Sequence, residues 1–167
     1  MKKANLEDII GAIFEDEHVN IVGTYLFAHL MMESLLDDCI DLAIAQSKLK
    51  KKRRTFHNKV RALEGIEFEY QEDKEVIIDS HMANGLRQFN QLRNKLAHEY
   101  RHEIEYEDIQ KVANSIPADY TDEAFEGKEY AEKHQYSLSL LIVEMAKHVF
   151  FEVAYKLNEM GGAKRLP

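Results

Sequence analysis

Near the middle of the 167-residue chain, Gln91-Leu92-Arg93-Asn94-Lys95-Leu96-Ala97-His98-Glu99-Tyr100 gathers residue types that could do chemistry. Taken as a helix at about 100° per residue, Met82, Leu86, Phe89, Leu96, Ala97 and Tyr100 fall on one apolar stripe. Arg93 falls in the middle of that stripe. A permanently charged guanidinium on a core-facing stripe is costly unless paired. Asn94 and His98 are four residues apart, neighbours on the flank of the same helix. An amide one turn from an imidazole can fix its tautomer and orientation, which a general acid or base needs. One helix end therefore offers an inward cation, an oriented imidazole and the Tyr100 phenol.

Arg93-Asn94-x-x-x-His98 resembles the Arg-polar-x-x-x-His signature of the HEPN superfamily, all-helical domains that include many metal-independent ribonucleases. With Tyr100 added it reads Arg-x4-His-x-Tyr, similar to HepT-type toxins that pair with a nucleotidyltransferase antitoxin. The resemblance implies an all-α, up-and-down bundle of about four main helices plus short helices. It also implies an endoribonuclease without metal or cofactor, its site formed across a homodimer, in a toxin–antitoxin or phage-defence setting. The partners implied are RNA, a second copy of the chain and a cognate antitoxin. His98 would move a proton at the ribose 2′-hydroxyl or the 5′-leaving oxygen. Arg93 would stabilise charge on the scissile phosphate, and Asn94 would orient His98. Arg93 and His98 are five positions apart, about 140° around an ideal helix, so the pair does not share a face. Convergence needs the reach of arginine, an unwound helix end or two subunits.

A long early helix with an embedded acid, then Phe56-His57-x-Lys59, then the Arg93 helix, also resembles mannitol-operon-repressor-like proteins. That resemblance implies a non-enzymatic helical regulator in which Arg93 is structural. A further pattern overlaps the first: His98-Glu99-Tyr100-Arg101-His102 spells His-Glu-x-x-His, with Asp108 where one zinc-protease variant has its third ligand. Glu105 stands where the extended pattern uses glycine, and Arg101 would put a cation beside the metal. The residues therefore point to no metal site.

The elements that must position these residues follow from periodicity and punctuation. Forty-five per cent of the chain is apolar and 31 per cent charged, as in soluble globular proteins. Two prolines predict long uninterrupted helices, and the single cysteine, Cys39, excludes an intrachain disulfide. No stretch has the length to span a membrane and the start lacks a signal-peptide pattern, so a cytoplasmic protein is expected. One domain over residues 1–160 and a frayed tail at 161–167 are predicted. Asn5 caps a first amphipathic helix running to about Asp16. A central helix is predicted over residues 21–48, with Glu33 and Asp37 one turn apart in its Leu26/Leu30/Ile40/Ile44 stripe. Embedded carboxylates want a cation, and Arg93 is the expected partner.

Lys48 is followed by Lys50, Lys51, Lys52, Arg53 and Arg54, a basic run in a protein of formal charge −8. It reads either as the RNA-binding segment or as a solvated helix end. A short helix over residues 55–64, closed by Gly65, packs through Phe56, Val60 and Leu63. Residues 66–75 are predicted to be a connecting loop with a brief extended start, and the Arg93 helix to cover 77–100. A short helix over 105–116, an acidic turn region over 117–127 and a long apolar helix over 128–160 complete the chain. The apolar density of the last helix, Val149, Phe150 and Val153 among it, predicts a face for a partner subunit.

Overall fold

A computed structural model describes residues 21–70, 73–98, 104–115 and 138–160. The predicted first helix, Glu99 to His102, the acidic turn region, the start of the last helix and the tail lie outside the described residues. What is described is mostly helical, with a single short hairpin. The order is α1 (Ile21–Ala45), α2 (Phe56–Leu63), β1 (Glu67–Tyr70), β2 (Asp73–Val76), α3 (Ser80–His98), α4 (Tyr106–Ala113) and α5 (Leu138–Glu159). None of the described helices is long and apolar enough to cross a membrane.

α1 is the central helix, as its composition predicts. Tyr25, Met32, Leu36, Cys39 and Ile40 are fully buried at helical spacing, and α1 packs most extensively on α5. Its inward face is rotated from the predicted stripe: Leu30 is exposed and Leu26 and Ile44 are half-buried. Glu33 and Asp37 consequently lie at the border of the core and not inside it.

The helix stops three residues earlier than predicted because Ser47 turns left-handed, at φ 58°. The Lys48 N–H reaches the Ala43 carbonyl at 2.8 Å and the Ser47 N–H reaches Ile44 at 2.9 Å. This is a Schellman closure with serine where glycine is usual, so no glycine marked it in the sequence.

Thr55 caps α2 by accepting from the Asn58 N–H at 3.3 Å. Gly65, at φ 72°, ends the turn that follows and donates to the Ile78 carbonyl at 2.9 Å. The brief extended start predicted here is β1, and the rest of the predicted loop returns as β2 in an antiparallel hairpin pairing Glu67 with Val76 and Glu69 with Lys74. Phe68 is its buried anchor, while Glu67 and Glu69 face solvent. The outer edge of β1 is closed by the Gln46 side chain, which accepts from the Glu69 N–H (2.9 Å) and donates to its carbonyl (3.1 Å).

α3 starts at Ser80, later than predicted, with Asp79 accepting from the Met82 N–H at 2.7 Å. Ile77 and Ile78 are core residues of the preceding extended segment. Met82, Ala83, Gly85, Leu86, Phe89 and Leu92 form the buried face of α3; Ala97, predicted on it, is exposed. Along α5, Val153 is 2% exposed and belongs to the chain's own core, not to a partner face. The side chains of Val149 and Phe150 lie outside the described set. Among the described side chains of α5, the large apolar groups that are exposed are Phe151 and Tyr155.

Candidate functional site

Arg93 is half-buried near the end of α3, while Asn94 and His98 are exposed. The Arg93 Nη1 donates to Asn94 Oδ1 at 3.3 Å. Asn94 thus serves the guanidinium, and among the described residues no hydrogen bond joins it to His98, against the expected orienting role. Tyr100 and the rest of the His-Glu-x-x-His segment after His98 lie outside the described residues. Among those residues no three metal-ligating side chains come together.

The predicted contact of Arg93 with Glu33 or Asp37 is replaced by another. Lys59 of α2 is 4% exposed and its Nζ lies 3.0 Å from Glu33 Oε1 and 2.9 Å from Asp37 Oδ2. A buried ammonium must find anions, and Lys59 reaches both acids. Its signal was present in the sequence: Phe56, Lys59, Val60 and Leu63 occupy one apolar face at helical spacing, so Lys59 is an inward cation too. With both acids taken, Arg93 has no carboxylate within ion-pair distance among the described residues.

Beside this triad lies a hydrogen-bonded pair, buried His29 and half-buried Asn90, that sequence reasoning passed over. His29, one turn before Glu33 on α1, is 4% exposed. Its Nε2 lies 3.0 Å from Asn90 Oδ1. A carbonyl oxygen accepts, so Nε2 carries the proton in the neutral ring. The imidazole stacks on Phe56 (centroids 4.4 Å apart) and on Phe89 (5.9 Å). Phe89 is fixed in turn by Tyr25, whose hydroxyl donates to the Phe89 carbonyl at 2.9 Å. Burial holds the Tyr25 phenol well above its usual range, so it stays a donor.

Burial also lowers the pKa of His29; the Asn90 bond opposes this, and the positive field of Arg93 adds to it. His29 is therefore a neutral ring, and Arg93 stands close enough for its charge to be felt there. The signal was the line His29, Glu33, Asp37, three polar residues at four-residue spacing on a largely apolar helix.

The basic run divides. Lys48 pairs with Glu69 at 3.0 Å and Lys52 with Asp41 at 2.8 Å. Arg53 is half-buried and its Nη1 donates to the Lys51 carbonyl at 3.3 Å. Lys50, Lys51 and Arg54 remain exposed.

Chemically, the end of α3 offers a guanidinium with no carboxylate at ion-pair distance among the described residues, able to take an oxyanion in bidentate fashion. It also offers the exposed His98 imidazole, whose ring nitrogens can donate or accept a proton. No family model, curated protein or solved structure matches this chain. The functional reading rests on the residues themselves.

Proposed function

We propose that this mostly helical chain is a HEPN-type, metal-independent endoribonuclease that works as a homodimer. The observation that supports it best is the division of cations: Lys59 takes Glu33 and Asp37, which leaves Arg93 for a phosphate. In this reading His98 removes the ribose 2′-proton, O2′ attacks the adjacent phosphorus, and the 5′-oxygen leaves with a proton. Arg93 stabilises the charge that develops on the phosphoryl oxygens. The attacking group is the 2′-hydroxyl, so the substrate is RNA. Arg93 and His98 lie about 140° apart around α3, and a second copy of the helix supplies the convergence one helix lacks. A toxin role with a nucleotidyltransferase-type antitoxin extends the same reading.

The test is incubation of the purified protein with RNA in excess chelator. Cleavage yielding 2′,3′-cyclic phosphate ends is expected, and His98→Ala should lower it by about 10²–10⁴-fold without unfolding the protein. Products ending in a plain 3′-hydroxyl, or undiminished cleavage by a folded His98→Ala protein, would refute it. One observation favours a second reading, the helical regulator: His98 is exposed, and no hydrogen bond orients it among the described residues. That reading expects no RNA cleavage by a folded dimer.

A further inference from the structure

From Lys48 to Glu64 the chain carries eight cations and one carboxylate, within a protein of formal net charge −8. The fold neutralises only part of that excess. Lys48 is spent on Glu69, Lys52 on Asp41, and Lys59 on Glu33 and Asp37. The local carboxylate, Glu64, is taken by Arg87 from α3. Each of these five acids is thus engaged by a cation. Lys50, Lys51, Arg54 and Arg61 are exposed and have no carboxylate at ion-pair distance among the described residues.

Their placement is ordered. Phe56, Lys59, Val60 and Leu63 turn inward, so His57, Asn58 and Arg61 form the outer face of α2. Lys50, Lys51 and Arg54 lead into that face. The first residue of α2, Phe56, stacks on His29, whose partner Asn90 lies one turn before Arg93. The start of this cationic surface and Arg93 therefore meet at one junction of α1, α2 and α3.

We propose that Lys50, Lys51 and Arg54, together with the outer face of α2 that carries Arg61, form a track for the sugar–phosphate backbone of single-stranded RNA. The proposal rests on the ribonuclease reading for the position of the scissile phosphate at Arg93, and it extends the strand's path away from that point. An eight-residue helix is about 12 Å long, too short to bridge successive grooves of an RNA duplex. Binding to an anionic bilayer normally adds an inserted apolar face. The exposed large apolar side chains described, Leu30, Phe151 and Tyr155, stand on α1 and α5, and none stands on the track.

The experiment uses the full chain carrying His98→Ala, so that binding is read without cleavage. The affinity for a fluorescein-labelled oligouridylate is measured against KCl concentration by anisotropy. Each phosphate contact to single-stranded nucleic acid contributes about 0.7 to the slope of log K against log salt. Adding Lys50→Gln, Lys51→Gln, Arg54→Gln and Arg61→Gln should flatten that slope by about 3. Lys48→Gln with Lys52→Gln, which removes cations already paired with Glu69 and Asp41, should change it by well under the roughly 1.4 that two phosphate contacts would contribute. Lys50→Arg with Lys51→Arg should preserve it.

An unchanged slope in the fourfold variant, its helical circular dichroism intact, overturns the track. So does a loss of about 1.4 in the Lys48/Lys52 control, the same per cation as in the fourfold variant, which would indicate bulk charge alone. Phosphatidylserine vesicles form the last arm: track-dependent vesicle binding together with track-independent RNA binding also overturns it. Failure of the catalytic reading looks different, because the chain with His98 restored would then bind RNA through the track and leave it uncut.

Discussion

Lys59→Met removes the ammonium that joins α2 to α1 while keeping most of the apolar stem. In the native fold that ammonium is 4% exposed and sits about equally close to two carboxylates, at 3.0 and 2.9 Å. Removing one partner of a fully buried ion pair costs about 3–5 kcal/mol. An exposed pair is worth about 0–1 kcal/mol. Here the cation is buried, but Glu33 is 29% and Asp37 49% exposed, so water can reach both orphaned acids. The expected loss therefore lies between the two limits, at about 2 kcal/mol. For a chain of this size that corresponds to a fall in Tm of about 4–8 °C.

Urea denaturation followed by far-ultraviolet circular dichroism measures the loss. Adding Glu33→Gln and Asp37→Asn to Lys59→Met should recover at least half of it, because the variant then leaves no unpaired charge at the core border. RNA cleavage should follow the same order, since orphaned carboxylates beside the site compete with phosphate for Arg93. A Lys59→Met protein as stable as the parent, or a triple variant no better than the single one, would refute the assignment of both acids to Lys59.

Arg93→Gln should stay folded, within about 1 kcal/mol of the parent, because among the described residues no carboxylate depends on it. RNA cleavage by that variant should fall by about 10²–10³-fold, and global unfolding would contradict the half-exposed placement. His29 titrates below its ordinary 6.5 in the fold because burial disfavours the charged ring. The unfolded chain then binds a proton that the fold does not, so the contribution of His29 is present above 6.5 and is lost as pH falls toward the folded value. His29→Gln should flatten the stability–pH profile just below 6.5, and a parallel profile would refute this. Ser47 pays for a left-handed backbone that glycine adopts freely, so Ser47→Gly should raise stability by about 0.5–1 kcal/mol; a lower urea midpoint would show the turn is not strained.

The sequence by itself determined which segments are helical and much of which way they face. Apolar spacing set the start of α1 at Ile21, the inward Phe56, Val60 and Leu63 of α2, and the Met82/Leu86/Phe89 face of α3. It also placed Arg93 and His98 on one helix end. These are local properties, written within a few turns of chain.

The pairing of polar groups between helices was decided only by the tertiary structure. Two inward cations, Lys59 and Arg93, competed for the acids of α1. Lys59 lies 26 and 22 residues from Glu33 and Asp37, and which cation arrives depends on how α2 and α3 dock. The His29–Asn90 bond spans 61 residues, and nothing in either local pattern names the other. The hairpin is of the same kind. Its strands are four residues long, and its edge is closed by the amide of Gln46, 23 positions from Glu69. Periodicity sets the face of an element; its partner is set by the packing of the whole chain.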